Sequence, residues 1–253
     1  MSIPLAIVGH GKMGRLVEQL APQHGFQVVA RFTSANTSSL SRESLAGATT
    51  AIEFSTPAAA PENLRRLASL GVRTVSGTTG WYDHLPQIRN SVEAAGSALL
   101  YGPNFSIGMN LFFQIVTRAA TLLSKHPEYE AWGWEIHHSA KKDALSGTLK
   151  KLAEEIQAAG YSRPLSLAAN RAGSHTGTHE IGFDSTADTI TLRHTARSRE
   201  GYAHGALEAA RWLQQKKGIY EFRDIVTELG AAKSSMLRPP SACPDEGRDA
   251  GAL

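Results

Sequence analysis

Apolar positions in the N-terminal third fall into short blocks separated by stretches with helical spacing. Pro4–Val8 (PLAIV), Phe26–Phe32 (FQVVARF), Thr50–Phe54 (TAIEF), Val72–Val75 and Ala98–Tyr101 read as strands. Near-continuous apolar runs of that length suit strands covered on both faces. Between them, Met13, Leu16, Val17 and Leu20 repeat at helical spacing, as do Leu64, Leu67 and Leu70 in a helix opened by Pro57. Pro86–Ala95 makes a third helix. Strand alternating with helix predicts a parallel, doubly wound sheet. The rhythm changes near Asn104. Asn110–Ser124 is a long amphipathic helix, Tyr129–His138 an aromatic strand, and Ser146–Ala159 another helix. His175–Phe183 and Thr189–Ala196 alternate on either side of a turn at Asp184–Asp188, which predicts a hairpin. Tyr202–Lys216 is helical. Without strand–helix–strand alternation, this part reads as an α+β unit.

The pattern therefore predicts an α/β protein. The part up to about Asn104 reads as a doubly wound parallel unit, and the part after it as a second, α+β unit. The 238–253 stretch has the composition of a flexible tail. Of 253 residues, 42% are hydrophobic and 19% charged, a globular balance that excludes wholesale disorder. The net charge of +3 is spread without a basic stripe, so no nucleic-acid partner is expected. The most apolar stretch, Ala98–Val116, is broken by Pro103, Asn104 and Asn110, which argues against a membrane span. A single cysteine, Cys243, and no basic segment leading into an apolar one at the N-terminus predict a cytoplasmic protein.

The first candidate chemistry is Gly9-His10-Gly11-Lys12-Met13-Gly14, a G-x-G-x-x-G loop between the first strand and first helix. Its glycines allow a tight turn and close backbone approach to a pyrophosphate seated on a helix N-terminus. In that motif an acid near the end of the second strand binds the ribose 2′-hydroxyl. Here the strand ends Ala30-Arg31-Phe32-Thr33-Ser34, with no acid. Nothing there repels a 2′-phosphate, and Arg31, Thr33, Ser34 and Asn36 offer a cation and donors. NADPH is favoured slightly over NADH, with use of both allowed; Arg31 as an ordinary surface charge is the alternative.

The second is Glu135-Ile136-His137-His138-Ser139-Ala140-Lys141-Lys142-Asp143-Ala144-Leu145-Ser146-Gly147-Thr148. Histidine donates protons near neutrality, lysine binds anions, and small residues opening a helix leave N–H groups for an anion. The set reads as an anionic substrate with an acid catalyst; the bland alternative is a solvated turn and a helix cap. No metal is expected, because adjacent strand histidines face opposite ways and no nearby acid completes a ligand set. His175 and His179 share a strand face, better explained by a polar sheet face or a subunit contact than by a metal pair. Trp132 and Trp134 share another, suited to a core or interface. Glu154 and Glu155, four residues after Lys150 and Lys151, read as a solvated helix face.

Together these residues resemble the dihydrodipicolinate reductase family from Pro4 to about Glu228. Gly77-Thr78-Thr79-Gly80-Trp81 resembles its G-T-T-G-aromatic loop, Asn104–Asn110 its N-F-S-x-G-x-N hinge motif, and Glu135–Thr148 its E-x-H-H-x-x-K-x-D-A-P-S-G-T signature. Gly177–Glu180 and Arg199…Gly205-Ala206 fit later segments. The resemblance implies His137 as acid–base residue and Lys141 as its catalytic partner. His138, Ser146, Gly147, Thr148 and Arg199 would bind a small dicarboxylate. Gly9, Gly11, Lys12, Met13, Gly14, Thr33, Ser34, Phe54, Gly77, Thr78, Thr79, Asn104 and Phe105 would lie along NADPH or NADH. It further implies a Rossmann-type dinucleotide-binding domain of residues 1–104 and 218–237, a substrate-binding and oligomerisation domain of residues 105–217 with a mixed or antiparallel sheet, hinges at Asn104–Gly108 and near Lys217–Gly218, a homotetramer, and reduction of a cyclic unsaturated imine dicarboxylate in lysine biosynthesis. Three departures stand out: Leu145 replaces the signature's proline, the acid after the second strand is missing, and Thr33–Thr49 shows no helix. The rival readings are a related two-domain dehydrogenase or imine reductase, and a non-catalytic NADP-binding sensor.

Overall fold

The structure is a computed structural model that describes residues 2–229; Cys243 and the 238–253 tail lie outside them. Six strands form one fully parallel sheet: β1 (Ile3–Val8), β2 (Phe26–Phe32), β3 (Thr50–Glu53), β4 (Arg73–Ser76), β5 (Ala98–Tyr101) and β10 (Gly218–Glu221). Their spatial order is β10-β5-β4-β3-β1-β2. The chain leaves β1 for β2 on one side and returns to β3 on the other. That reversal opens a crevice beyond the carboxyl ends of β1 and β3, the usual ligand position in such sheets. The alternation along β1 serves two cores. Leu5 and Ile7 face α1 (Lys12–Leu20) and α6 (Glu200–Trp212), whereas Ala6 and Val8 face the opposite layer. Leu64, Ala68, Ile88 and Val92 of α2 (Ala60–Ser69) and α3 (Leu85–Ala95) pack with Leu99 on that other face. Helix α2 opens at Ala60-Pro61 rather than at Pro57, which stays in the preceding turn.

The second sheet runs β7-β6-β8-β9, from β6 (Glu130–His137), β7 (Leu165–Arg171), β8 (Thr178–Asp184) and β9 (Thr189–Thr195). The hairpin of β8 and β9 is antiparallel as expected, and β6 is antiparallel to β8. The absence of strand–helix–strand alternation is corrected: β6, α5 (Gly147–Ala158) and β7 form a parallel crossover. Sequence reasoning missed β7, because Leu-Ser-Leu-Ala-Ala-Asn-Arg has no β-branched residue to mark it. Helices α4 (Ile107–Leu123) and α5 cover one face of this sheet through Met109, Phe112, Val116, Leu149, Leu152 and Ile156. On β6, Ala131, Gly133, Glu135 and His137 are buried on that covered face, while Trp132, Trp134 and Ile136 are half-buried on the other. His175 precedes β8 and does not share a strand with His179.

Helix α6 returns to the first sheet, placing Ala203, Ala206, Leu207 and Ala210 in its core. A Cβ at Gly205 would stand inside the Phe105 carbonyl, so only glycine lets α6 pass this close to the chain entering α4. The four-residue helix α7 (Phe222–Ile225) follows β10 and buries Phe222 against Phe105.

Candidate active site

A cleft of about 990 Å³ opens between the two sheets. Met13, Thr79 and Asn104 line it from the first-sheet side; His137, His138, Lys141, Ser146, Gly147, Thr148 and Arg199 line it from the other. Both groups of sequence-derived candidates thus contribute to one cavity. Gly9, Gly11, Lys12, Gly14, Phe54, Gly77, Thr78 and Phe105 sit outside the lining set, around the ends of β1, β3, β4 and β5. Thr33 and Ser34 are exposed beyond β2.

Gly9 ends β1 at φ 92°, and a Cβ there would stand 2.1 Å from the Phe54 carbonyl oxygen. Such a backbone suits glycine alone. Gly11 is the N-cap of α1, makes no side-chain cap, and has nothing within 4 Å of where its Cβ would stand. The first-turn N–H groups therefore have no side-chain acceptor at the cap, an arrangement that can take an anion. The Gly77–Gly80 loop is held by Glu53, which is fully buried. Its carboxylate accepts from Ser55 N (3.0 Å), the Ser55 hydroxyl, Ser76 Oγ (2.7 Å) and Thr78 Oγ1 (2.9 Å). Burial pushes its pKa up, because none of these donors carries a charge. At the end of β2, Arg31 is not a free cation. Its Nε donates to Glu18 Oε1 at 2.7 Å, and His10 Nε2 lies 2.6 Å from Glu18 Oε2. Bonds from Arg31 and His10 hold the Glu18 carboxyl below its ordinary range. Asn36 Oδ1 takes the Thr33 N–H at 2.6 Å.

The Asn104–Asn110 motif builds the start of α4. Ser106 caps the helix by accepting from Met109 N (3.2 Å), Asn104 Oδ1 accepts from Ser106 N (2.8 Å), and Asn110 donates back to the Asn104 carbonyl (2.9 Å). The helix accordingly begins three residues before the apolar periodicity does.

Opposite lies the buried end of β6. The pleat puts Glu135 and His137 on one face, and the β6–β8 register sets Glu135 beside His179. Glu135 is fully buried. Its Oε1 accepts from Ser146 N and from Arg171 Nη2, both at 2.8 Å; its Oε2 accepts from the Ser146 hydroxyl and lies 3.3 Å from His179 Nε2. His137 Nδ1 is 3.7 Å from the same Oε2, too long for a hydrogen bond. Burial alone would raise the Glu135 pKa, but the bonds from Ser146 and Arg171 outweigh it and the pKa is lowered. Burial lowers the pKa of His137, against the opposing pull of Glu135, and Lys141 lowers it further. Burial and the neighbouring His137 take His179 down to about 4. Lys141 Nζ is 2.8 Å from Asp143 Oδ1 in the loop that follows. Ser146 caps α5 by accepting from Leu149 N at 3.1 Å, so Gly147 and Thr148 present the first turn to the cleft.

The ground for expecting no metal needs correction. Glu135, His137 and His179 bring ligand atoms within 4.8 Å of one another, so an acid does lie close by. That carboxylate is already matched by the Arg171 guanidinium and two donors from Ser146, the construction of an ion-pair network.

Sequence reasoning included Glu135 in the second motif without a role, and gave Arg171 and Glu155 no part in the site. For Glu135 the signal was present, two residues before His137 on a strand of period two. Arg171 is legible only with β7. Glu155 is not on a solvated face: it meets Arg223 Nη1 at 2.9 Å and Thr117 Oγ1 at 3.3 Å, tying α5 to α7 at the cleft wall. Trp132 and Trp134 serve sheet packing, over Gly182 and bonded to Asn170 respectively.

Residues 3–105 match the family model described as dihydrodipicolinate reductase, N-terminus, and residues 108–226 the model described as dihydrodipicolinate reductase, C-terminus. The 4-hydroxy-tetrahydrodipicolinate reductase of Christiangramia forsetii is 32% identical over 238 residues, covering 89% of this chain and 98% of that protein. The enzyme of the same name from Archaeoglobus fulgidus is 33% identical, covering 85% and 96%. In structure, the dipicolinate-bound dihydrodipicolinate reductase from Paenisporosarcina matches with a TM-score of 0.77 at 23% identity over 89% of this chain and all of that one. An amine dehydrogenase from Mycobacterium smegmatis matches less well, with a TM-score of 0.57 at 12% identity over 88% and 96%, a likeness of fold alone.

Proposed function

Because this chain belongs to the dihydrodipicolinate reductase family, an NAD(P)H-dependent oxidoreductase family of lysine and diaminopimelate biosynthesis, we propose that it reduces the cyclic imine derived from 4-hydroxy-tetrahydrodipicolinate to tetrahydrodipicolinate, with His137 as the acid. The observation that carries this reading is the shared cleft: Met13, Thr79 and Asn104 face His137, Lys141 and the N-terminus of α5 across one cavity.

When bound, the reduced nicotinamide supplies a hydride, which the unsaturated imine ring accepts at C4. Electron density moves to the far end of the conjugated system, and a proton must arrive there. His137 stands at the cleft to deliver it, directly or through a water. Its lowered pKa leaves the ring neutral at neutral pH before substrate binds. Two incoming carboxylates bring the negative charge that favours the imidazolium, so the acid charges when its substrate arrives. Lys141, His138, Arg199 and the first turn of α5 at Gly147–Thr148 hold the carboxylates and fix the ring. Both NADPH and NADH serve, with NADPH ahead: no carboxylate closes β2 to repel a 2′-phosphate, and Glu18 tempers the attraction of Arg31.

The protein acts in the cytoplasm as a homotetramer. The outer face of the second sheet, away from α4 and α5, supports the assembly: it carries half-buried Trp132 and Trp134 and the exposed Thr191 and Arg193 of β9. Sedimentation velocity tests it. No helix among the described residues is long and apolar enough to cross a membrane.

The decisive assay follows NADPH and NADH oxidation by absorbance, with substrate formed in situ from pyruvate and aspartate semialdehyde by a condensing synthase. Substrate-dependent oxidation should fall by about 10²–10⁴-fold in His137→Gln, and steeply in Lys141→Ala. NADPH binding with no oxidation of either cofactor would replace the enzyme by a sensor.

A further inference from the structure

We propose that Glu135 is a positioning residue that couples the two halves of the substrate side: it is the counter-ion awaiting the protonated His137 and the tether that holds the N-terminus of α5 beside it. The inference rests on the oxidoreductase reading of the cleft.

Glu135 is fully buried and does not line the cavity, so it is placed to act through its neighbours. One carboxylate collects five groups from four parts of the chain. Arg171 comes from β7 and His179 from β8; Ser146 reaches it from the α5 cap through both N and Oγ; His137 shares its strand. A purely structural ion pair would be complete with Arg171 and Ser146. The remaining geometry goes further. His137 Nδ1 is buried, makes no hydrogen bond, and points at Oε2 across 3.7 Å. An unpartnered polar atom in that position is costly unless another state of the molecule uses it. Protonation puts a hydrogen on both ring nitrogens, and a small ring rotation then brings Nδ1–H onto the waiting oxygen, leaving Nε2–H as the proton to be given.

The charges around His137 fit that use. They are Glu135 on its own strand, Arg171 on β7, the His179 ring at 5.1 Å on β8, and Lys141 with Asp143 in the following loop. Glu135 offsets Arg171 and Asp143 offsets Lys141, while burial keeps His179 neutral. The surroundings sum to no net charge, and Glu135 is the anion within reach of Nδ1. The same carboxylate fixes Ser146, whose hydroxyl also caps α5. Proton donor and anion cradle therefore move as one piece.

The test is an NMR titration of the His137 imidazole in the full chain, with and without dipicolinate as a non-reducible dicarboxylate probe, alongside kcat/KM against pH. In Glu135→Gln, His137 should titrate lower by about one unit or more, and the alkaline limb of the profile should move down with it. Ser146→Ala, which removes one donor to Oε2, should move the His137 titration less than Glu135→Gln does and weaken dipicolinate binding about tenfold, and Glu135→Gln, at a residue outside the cavity lining, should weaken that binding too. A His137 titration unmoved in Glu135→Gln overturns the counter-ion role, and dipicolinate affinity unmoved in Ser146→Ala overturns the tether. If Glu135→Gln does not fold, Glu135→Asp retracts the charge by one methylene; a smaller downward shift supports the proposal and none overturns it. The titration needs no turnover, so a shifted His137 in a protein without reductase activity would sink the reaction and leave the coupling standing.

Discussion

Arg171→Met should be among the most destabilising single substitutions in the second sheet. The Arg171 side chain is 15% exposed and Glu135 is not exposed at all, so the change leaves an ionised carboxylate buried without its cation. Removing one member of a buried pair costs about 3–5 kcal/mol. Ser146 still donates twice to Glu135, which places the expectation near the lower end, about 3 kcal/mol. Arg171 also donates to the Asp143 carbonyl, so the loop carrying Lys141 loses an anchor as well. At about 2–4 °C per kcal/mol for a chain of this size, the midpoint should drop by about 6–12 °C. Urea unfolding followed by circular dichroism gives the free energy, and a thermal scan gives the midpoint. The double variant Arg171→Met/Glu135→Gln separates the causes. If the cost is an orphaned charge, neutralising Glu135 recovers most of it; if Arg171 matters only through packing, the two losses add. A loss under about 1 kcal/mol in the single variant, or simple additivity in the double, would refute the reasoning.

Three further outcomes follow. Stability should fall as pH drops from about 6.5 toward 4: His24, His137, His179 and His194 all have lowered pKa values, so the unfolded chain binds protons first. His179, taken to about 4, contributes on the order of 2–3 kcal/mol of that loss by pH 4, and urea midpoints across this window would show it. Gly9→Ala should weaken NADPH binding by about tenfold or more, because a left-handed backbone and the Phe54 carbonyl both exclude a Cβ; fluorescence titration of bound NADPH reads this, and unchanged affinity would count against the cradle. Glu18→Gln should raise the ratio of kcat/KM for NADPH over NADH several-fold by releasing Arg31; an unchanged ratio would show that Arg31 does not face the 2′-position.

What was legible in the sequence depended on how local its cause was. Strands β1, β2 and β5 announce themselves by apolar runs with a glycine close to at least one end, and α5 by its Ser146 cap, so their bounds fall within a residue or two of expectation. Strand β7 owes its existence to parallel pairing with β6, and nothing in Leu-Ser-Leu-Ala-Ala-Asn-Arg demands it. With β7 unseen, Arg171 could not be placed beside Glu135. Glu155 looked like the partner of a lysine four residues back, because helical spacing carries no information about Arg223 arriving from another part of the chain. Likewise, Arg31 was readable as a cation but not as one already taken by Glu18.

The return of the chain to its first sheet has a consequence for synthesis. Strand β10 completes that sheet beside β5, and α6 supplies much of the core over it, yet both leave the ribosome only after the entire four-stranded sheet has been made. The nascent N-terminal segment must wait with β5 as a bare edge and Leu5, Ile7, Ile52 and Val75 lacking their α6 cover. Unpaired edges and exposed apolar faces of this kind are where chaperones bind and aggregation begins. The second unit, continuous in sequence, can settle first and deliver the missing pieces, so the nucleotide-binding half is translated first and finished last.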